Sequence, residues 1–211
     1  MSVAEPPWEA GAAGRSAARH ETVVIGVGNP LMGDDGVGLA ALDRLRAWDF
    51  EPFVERVDGG TWGMNLLQFV EEARRLVILD AIQAGREPGA LVTLEGDEIP
   101  RFLSTKLSPH QIELREVLAL AELRGTLPEE TVALGLQPAR VEMSDRLSPE
   151  VEASLDAVVD ACVERLRSWG HRARPRASVE GRPGEGLPPA SGPGATPDRG
   201  TAPGPRRPLP W

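Results

Sequence analysis

The sequence predicts an α/β protein, a three-layer fold with a twisted, mostly parallel five-stranded sheet between helices. Three observations predict it. The run TVVIGV, residues 22–27, is continuously apolar and β-branched, as in a strand buried on both faces of a parallel sheet. It passes directly into the glycine-rich loop GVGNPLMGDDGVG, residues 26–38, which opens a helix. Beyond that loop, strand-like and helix-like segments alternate, the pattern of crossover units in a parallel sheet.

The elements follow in order. GVGLAALDRLRAW (36–48) reads as the first helix, and FVERVD (53–58) as a second strand ending in Asp58. After the loop GGTWG, the segment MNLLQFVEEARR (64–75) is amphipathic and predicts a second helix. LVILD (76–80) is a third strand, apolar until Asp80. ALVTLE (90–95) and TVALGLQP (131–138) are the fourth and fifth, with the helix of KLSPHQIELREVLALAEL (106–123) between them. The last helix, SPEVEASLDAVVDACVERLRSW (148–169), has Ser148 as N-cap, Pro149 at its first position and acids in its first turn. Val151, Leu155, Val158, Cys162 and Leu166 recur at helical spacing and predict the face that packs on the sheet, which makes Cys162 a structural thiol.

Composition bounds the organisation and the function class. The chain has 211 residues and is 41% apolar, enough for one core, and residues 21–170 are expected to form the domain. Residues 1–20 read as a flexible arm that holds His20. Residues 171–211 contain ten of the twenty prolines and carry a net charge of +4, leaving −13 on the rest; they read as a disordered tail that holds His171. A net charge of −9 argues against a nucleic-acid-binding body. With no apolar run of spanning length and no secretory leader, no membrane insertion and a cytoplasmic location are expected. A single cysteine excludes an internal disulfide and a Cys-based zinc cluster.

Ligands of open α/β sheets bind outside the carboxyl ends of the strands. To that rim the sequence sends Asn29, Asp34 and Asp35 after the first strand, Asp58 after the second, Asp80 after the third, and His110 after the fourth. A nucleotide is not the expected ligand. The dinucleotide fingerprint needs a third glycine where Leu31 stands, and a Walker loop needs a Lys that GNPLMGDD lacks. G-x-S-x-G and H-E-x-x-H are also absent. Carboxylates with one imidazole instead suit a divalent ion such as zinc or nickel. Ser108, Pro109 and Gln111 predict a capping box that puts His110 in the first turn of its helix, where the dipole disfavours imidazolium.

The motifs GVGNPLMGDDGVG, DGGTWGMNLL, LVILDAI and KLSPHQ, in this order and at these separations, resemble those of the hydrogenase maturation endopeptidase family over roughly residues 22–167. The resemblance implies removal of a short C-terminal extension from a [NiFe] hydrogenase large-subunit precursor after nickel insertion, with the nickel as recognition element. It implies a metal-contacting trio of Asp35, Asp80 and His110, with Asp35 and Asp80 also catalytic. Asn29, Asp34, Asp58, Gly59, Gly60 and Thr61 are expected to contact substrate. The nickel is expected to arrive with the substrate, and no nucleotide is required. A non-cleaving nickel-sensing chaperone of the same precursor is the alternative reading.

Overall fold

The structure, a computed structural model, describes residues 20–96, 98–99 and 109–176, and for residues 109–113 the backbone only. The arm before residue 20, the Pro-rich segment after residue 176 and the proposed Ser108 cap lie outside the described residues.

Five strands form the main sheet: β1 (His20–Val27), β3 (Glu55–Gly60), β4 (Ala73–Ala81), β5 (Leu91–Glu95) and β6 (Glu130–Leu136). Their spatial order is β3-β1-β4-β6-β5, all parallel except β5, which pairs antiparallel with β6. Alternate residues of each strand point to opposite faces, and each face has its own helices. Val23, Ile25, Leu76 and Ile78 pack with α2 (Leu67–Glu72) and α3 (Pro109–Leu123), through Val70, Leu114, Val117 and Ala121. Val24, Val77, Leu79 and Leu134 face α1 (Val37–Leu45) and α4 (Pro149–Ser168), through Leu42, Leu45, Leu155, Val158 and Leu166. Cys162 is fully buried on that second face, as the helical spacing requires.

This architecture is the expected one; the first helix ends at Leu45 rather than Trp48, the second expected strand is shifted to Glu55–Gly60, and four further places differ. The second helix is short, because residues 73–75 belong to β4 rather than to the end of α2. There the backbone gains ladder partners in β1, His20 with Ala73 and Thr22 with Arg75, which outweighs a local helical pattern. Arg75 adds a hydrogen bond to the carbonyl of Trp169 at 3.0 Å and one to Glu130 at 2.9 Å. Second, His20 opens β1 instead of ending an arm.

Third, the ordered domain continues past Gly170. Residues Arg172–Pro175 form β7, which pairs antiparallel with β2 (Trp48–Glu51) in a separate two-stranded sheet. His171, expected in a tail, is buried; its Nδ1 donates to the Pro52 carbonyl at 2.8 Å, and its Nε2 hydrogen-bonds with the Thr22 hydroxyl, also at 2.8 Å. Fourth, Ser148 is at the N-cap position but makes no side-chain cap; its hydroxyl is used elsewhere. Among the described residues no helix is long and apolar enough to cross a membrane.

Candidate active site

The strand order reverses between β1 and β4: the chain leaves β1 for β3 on one side and returns to β4 on the other. At such a switch point the two connections diverge and leave a crevice above the carboxyl ends. Asp35 and Asp80 stand on its two sides. Asp35 lies in a 3-10 turn, Gly33–Gly36, that follows β1 and packs on β4, and Asp80 is the penultimate residue of β4.

The approach of these two elements depends on Gly38 in the first turn of α1. A Cβ there would lie 2.2 Å from the Leu79 carbonyl oxygen and 2.4 Å from that of Val27. The close helix-to-strand approach that a dinucleotide fingerprint assigns to its third glycine is therefore made here, with a 3-10 turn inserted before the helix. That insertion carries Asp35 to the end of the first strand, where a phosphate would otherwise sit.

Asp35 is 3% exposed and Asp80 2%. The Asn29 amide donates to Asp35 Oδ2 at 2.9 Å, while the Asn29 side-chain oxygen accepts from the Leu31 amide at 3.0 Å. Asp80 Oδ1 accepts from the following Ala81 amide at 2.7 Å. Two buried carboxylates on either side of a crevice form a hard, anionic donor pair of the type that divalent cations take.

Asp34 has a different place from the one expected of a substrate contact. It is fully buried, and four internal donors meet its carboxylate. Oδ1 accepts from the Ser148 amide at 2.6 Å; Oδ2 accepts from the amides of Ala139 at 2.8 Å and Arg140 at 3.1 Å and from the Ser148 hydroxyl at 2.9 Å. Gly59 is likewise turned inward, with its backbone beside Ile25 and its carbonyl taken by the Trp62 amide at 2.8 Å. The remaining expected contacts are on the accessible rim: Asn29 and Gly60 are half-buried, and Asp58 and Thr61 are exposed. The Gly28 amide donates to the Gly60 carbonyl at 3.0 Å and joins the first loop to the second.

For His110 the structure gives the backbone position. The far end of α3 is pinned at the amino rim of the sheet, where the Thr126 hydroxyl donates to Glu71 at the end of α2 at 3.0 Å. The helix also packs on the 3-10 turn Gly63–Leu66 that follows β3. Fifteen residues, roughly 22 Å of helix, carry its first turn toward the carboxyl rim, the side of the aspartates. Among the described residues no three His, Cys, Asp or Glu side chains surround a common point. The rim thus brings together two buried carboxylates and the first turn of α3, which holds His110.

One part of the rim was not anticipated. Residues 138–147, after β6, lie against the glycine loop: the Gly33 amide donates to the Ser144 carbonyl at 2.9 Å and the Ser144 amide to the Leu31 carbonyl at 3.0 Å. Leu31, Val141 and Met143 are exposed on this side, and Trp62 and Met64 beyond β3. The signal in the sequence was Val141 and Met143 in the otherwise polar run RVEMSD.

A switch-point crevice with buried aspartates at the ends of β1 and β4, in an open α/β sheet, is the candidate active site. The pattern of the hydrogenase maturation protease family matches residues 42–165. The hydrogenase expression/formation protein HupD of Rhizobium leguminosarum bv. viciae is 38% identical over 171 residues, 79% of this chain and 82% of that protein. The hydrogenase 2 maturation protease of Escherichia coli K12 is 34% identical over 159 residues, 74% of this chain and 97% of that protein. Among solved structures, the hydrogenase maturating endopeptidase HybD from E. coli superposes with a TM-score of 0.71 at 34% identity, covering 74% of this chain and 98% of that one. The [NiFe] hydrogenase maturation protease HybD from Thermococcus kodakarensis gives 0.56 at 28% identity, covering 69% and 98%. The chain belongs to the hydrogenase maturation protease family and is an endopeptidase of hydrogenase maturation.

Proposed function

We propose that this endopeptidase removes the C-terminal extension of a [NiFe] hydrogenase large-subunit precursor once nickel is in place, and that the nickel is what it recognises. The observation that supports this reading most is the pair Asp35 and Asp80 at the switch point, buried carboxylates that suit a divalent ion better than a phosphate or a neutral peptide. The ion belongs to the substrate. His110, in the first turn of α3, supplies the third contact. No nucleotide is needed, and the reaction takes place in the cytoplasm.

The chemistry is hydrolysis directed by the docked metal. Asp35, Asp80 and His110 hold the nickel centre so that the scissile peptide lies beside the carboxylates. A water there, deprotonated by a carboxylate acting as general base, adds to the scissile carbonyl; the C–N bond breaks and the proton passes to the leaving amine. Asn29 holds Asp35 in position, and Asp58, Gly60 and Thr61 contact the polypeptide on the β3 side.

The test is to incubate the protein with purified precursor and follow the mass of the large subunit together with any released peptide. A shortened subunit and a free C-terminal peptide are expected. A stable complex with the precursor at full mass would instead establish the nickel-sensing chaperone.

A further inference from the structure

We propose that Asp34 is a positioning residue of this site: its carboxylate fixes the turn that presents Asp35 to the 139–148 segment and to the start of α4. The inference rests on Asp35 being a catalytic acid, as argued above. Asp34 and Asp35 are consecutive in one 3-10 turn, and their carboxylates take different partners. That of Asp35 accepts from the Asn29 amide, on the loop that follows β1, at 2.9 Å. That of Asp34 is fully buried, with all four of its donors on a single stretch of chain 105 to 114 residues away.

A buried anion is retained only where charge-assisted hydrogen bonds replace its hydration. Three backbone amides and one hydroxyl do so here, and the amino terminus of the twenty-residue helix α4 adds the positive end of its dipole. The arrangement is directional. Rotation of the turn that would swing Asp35 away from the crevice would pull Asp34 from all four donors together. Ser148 is recruited for this purpose: at an N-cap its hydroxyl would ordinarily accept from its own helix, and here it donates to Asp34 Oδ2 instead. The same contacts fix the 139–148 segment, which also pairs with the glycine loop through Ser144.

Asparagine at this position cannot substitute. Its amide nitrogen would face either the Ser148 amide or the two amides of Ala139 and Arg140, donor against donor. Asp34→Asn should therefore lower kcat by more than tenfold at 25 °C with KM for the precursor within about threefold. Val151→Ala, which weakens α4 from its fully buried face, should lower Tm comparably and leave kcat unchanged. A second readout does not need activity: in Asp34→Asn, amide hydrogen exchange should accelerate at Ala139, Arg140 and Ser148, and also, by tenfold or more, at Asn29, whose amide is held by Asp35.

Should Asp34→Asn fail to fold, Ser148→Ala decides. It removes one donor of four and should lower kcat about threefold and raise Asn29 exchange with little change in Tm. The proposal is overturned if the folded variants keep wild-type kcat and Asn29 protection while only Tm falls, since Asp34 would then be a helix anchor and nothing more. If the wild-type protein cleaves no precursor, the functional reading fails, and the Asn29 exchange still tests whether Asp34 sets the position of Asp35.

Discussion

A Cβ on Gly28 would lie 1.8 Å from the carbonyl oxygen of Asp35, and Gly28 itself has φ of +122°. The first glycine after β1 thus lets the backbone of the 3-10 turn Gly33–Gly36 come down on the strand that precedes it. A side chain there meets both a conformational penalty and a collision with backbone. Gly28→Ala should cost at least ~3 kcal/mol, a fall in Tm of roughly 6 to 12 °C for a domain of this size. Thermal unfolding followed by circular dichroism checks this, and a fall below 2 °C would mean that the turn is more loosely held than described.

The two crevice carboxylates should be separable from stability. Asp35→Asn and Asp80→Asn should each lower precursor processing by roughly a hundredfold or more, and His110→Ala should do the same, with Tm staying within a few degrees of wild type. Asp58→Asn, at an exposed position on the β3 side, should change KM by only a few-fold. Kinetics of large-subunit shortening on gels or by mass spectrometry reads both. If all three variants lose activity only in proportion to unfolded protein, the residues are structural.

The C-terminal boundary of the domain makes a third prediction. A chain ending at Arg176 keeps His171 and β7; one ending at Gly170 loses both, leaving the Thr22 hydroxyl and the Pro52 carbonyl without their buried partner. At about 1–3 kcal/mol for each such group, the shorter chain should melt at least 5 °C below the longer one. Equal Tm values would contradict the role given to His171.

Cys162 should be chemically silent. Burial in the α4 face pushes its thiol up from 9.0 to about 12, so no thiolate is present in the native state at neutral pH. Reaction with a thiol reagent should be at least a hundredfold slower natively than in denaturant, and treated enzyme should keep its activity. In the unfolded chain the thiol ionises near its ordinary pKa. The raised native value therefore contributes stability that is complete below pH 9 and is lost as pH rises toward about 12. That slope should be smaller in Cys162→Ala.

The sheet was legible in the sequence because its strands are apolar on both faces. TVVIGV and LVILD need no tertiary information to be recognised. Residues 73–75 were misread as helix because their strand character comes from pairing with β1, which no local window contains. For the same reason β2 and β7, each only four residues long, were invisible: they stabilise one another across 120 residues of chain. At the site, the rim placement of Asp35 and Asp80 followed from their positions at the carboxyl ends of strands, and the choice of Asp35 over Asp34 from the family resemblance. The inward turn of Asp34 did not, because its partners lie on the far side of the sequence and adjacent acids look alike until one is seen to be buried among donors.

The most direct test of the central claim compares nickel-loaded with nickel-free precursor under identical conditions, following the mass of the large subunit over time. If Asp35, Asp80 and His110 recognise the substrate's metal, the loaded form is shortened and the nickel-free form remains at full length. Shortening of both forms at equal rates would contradict the account.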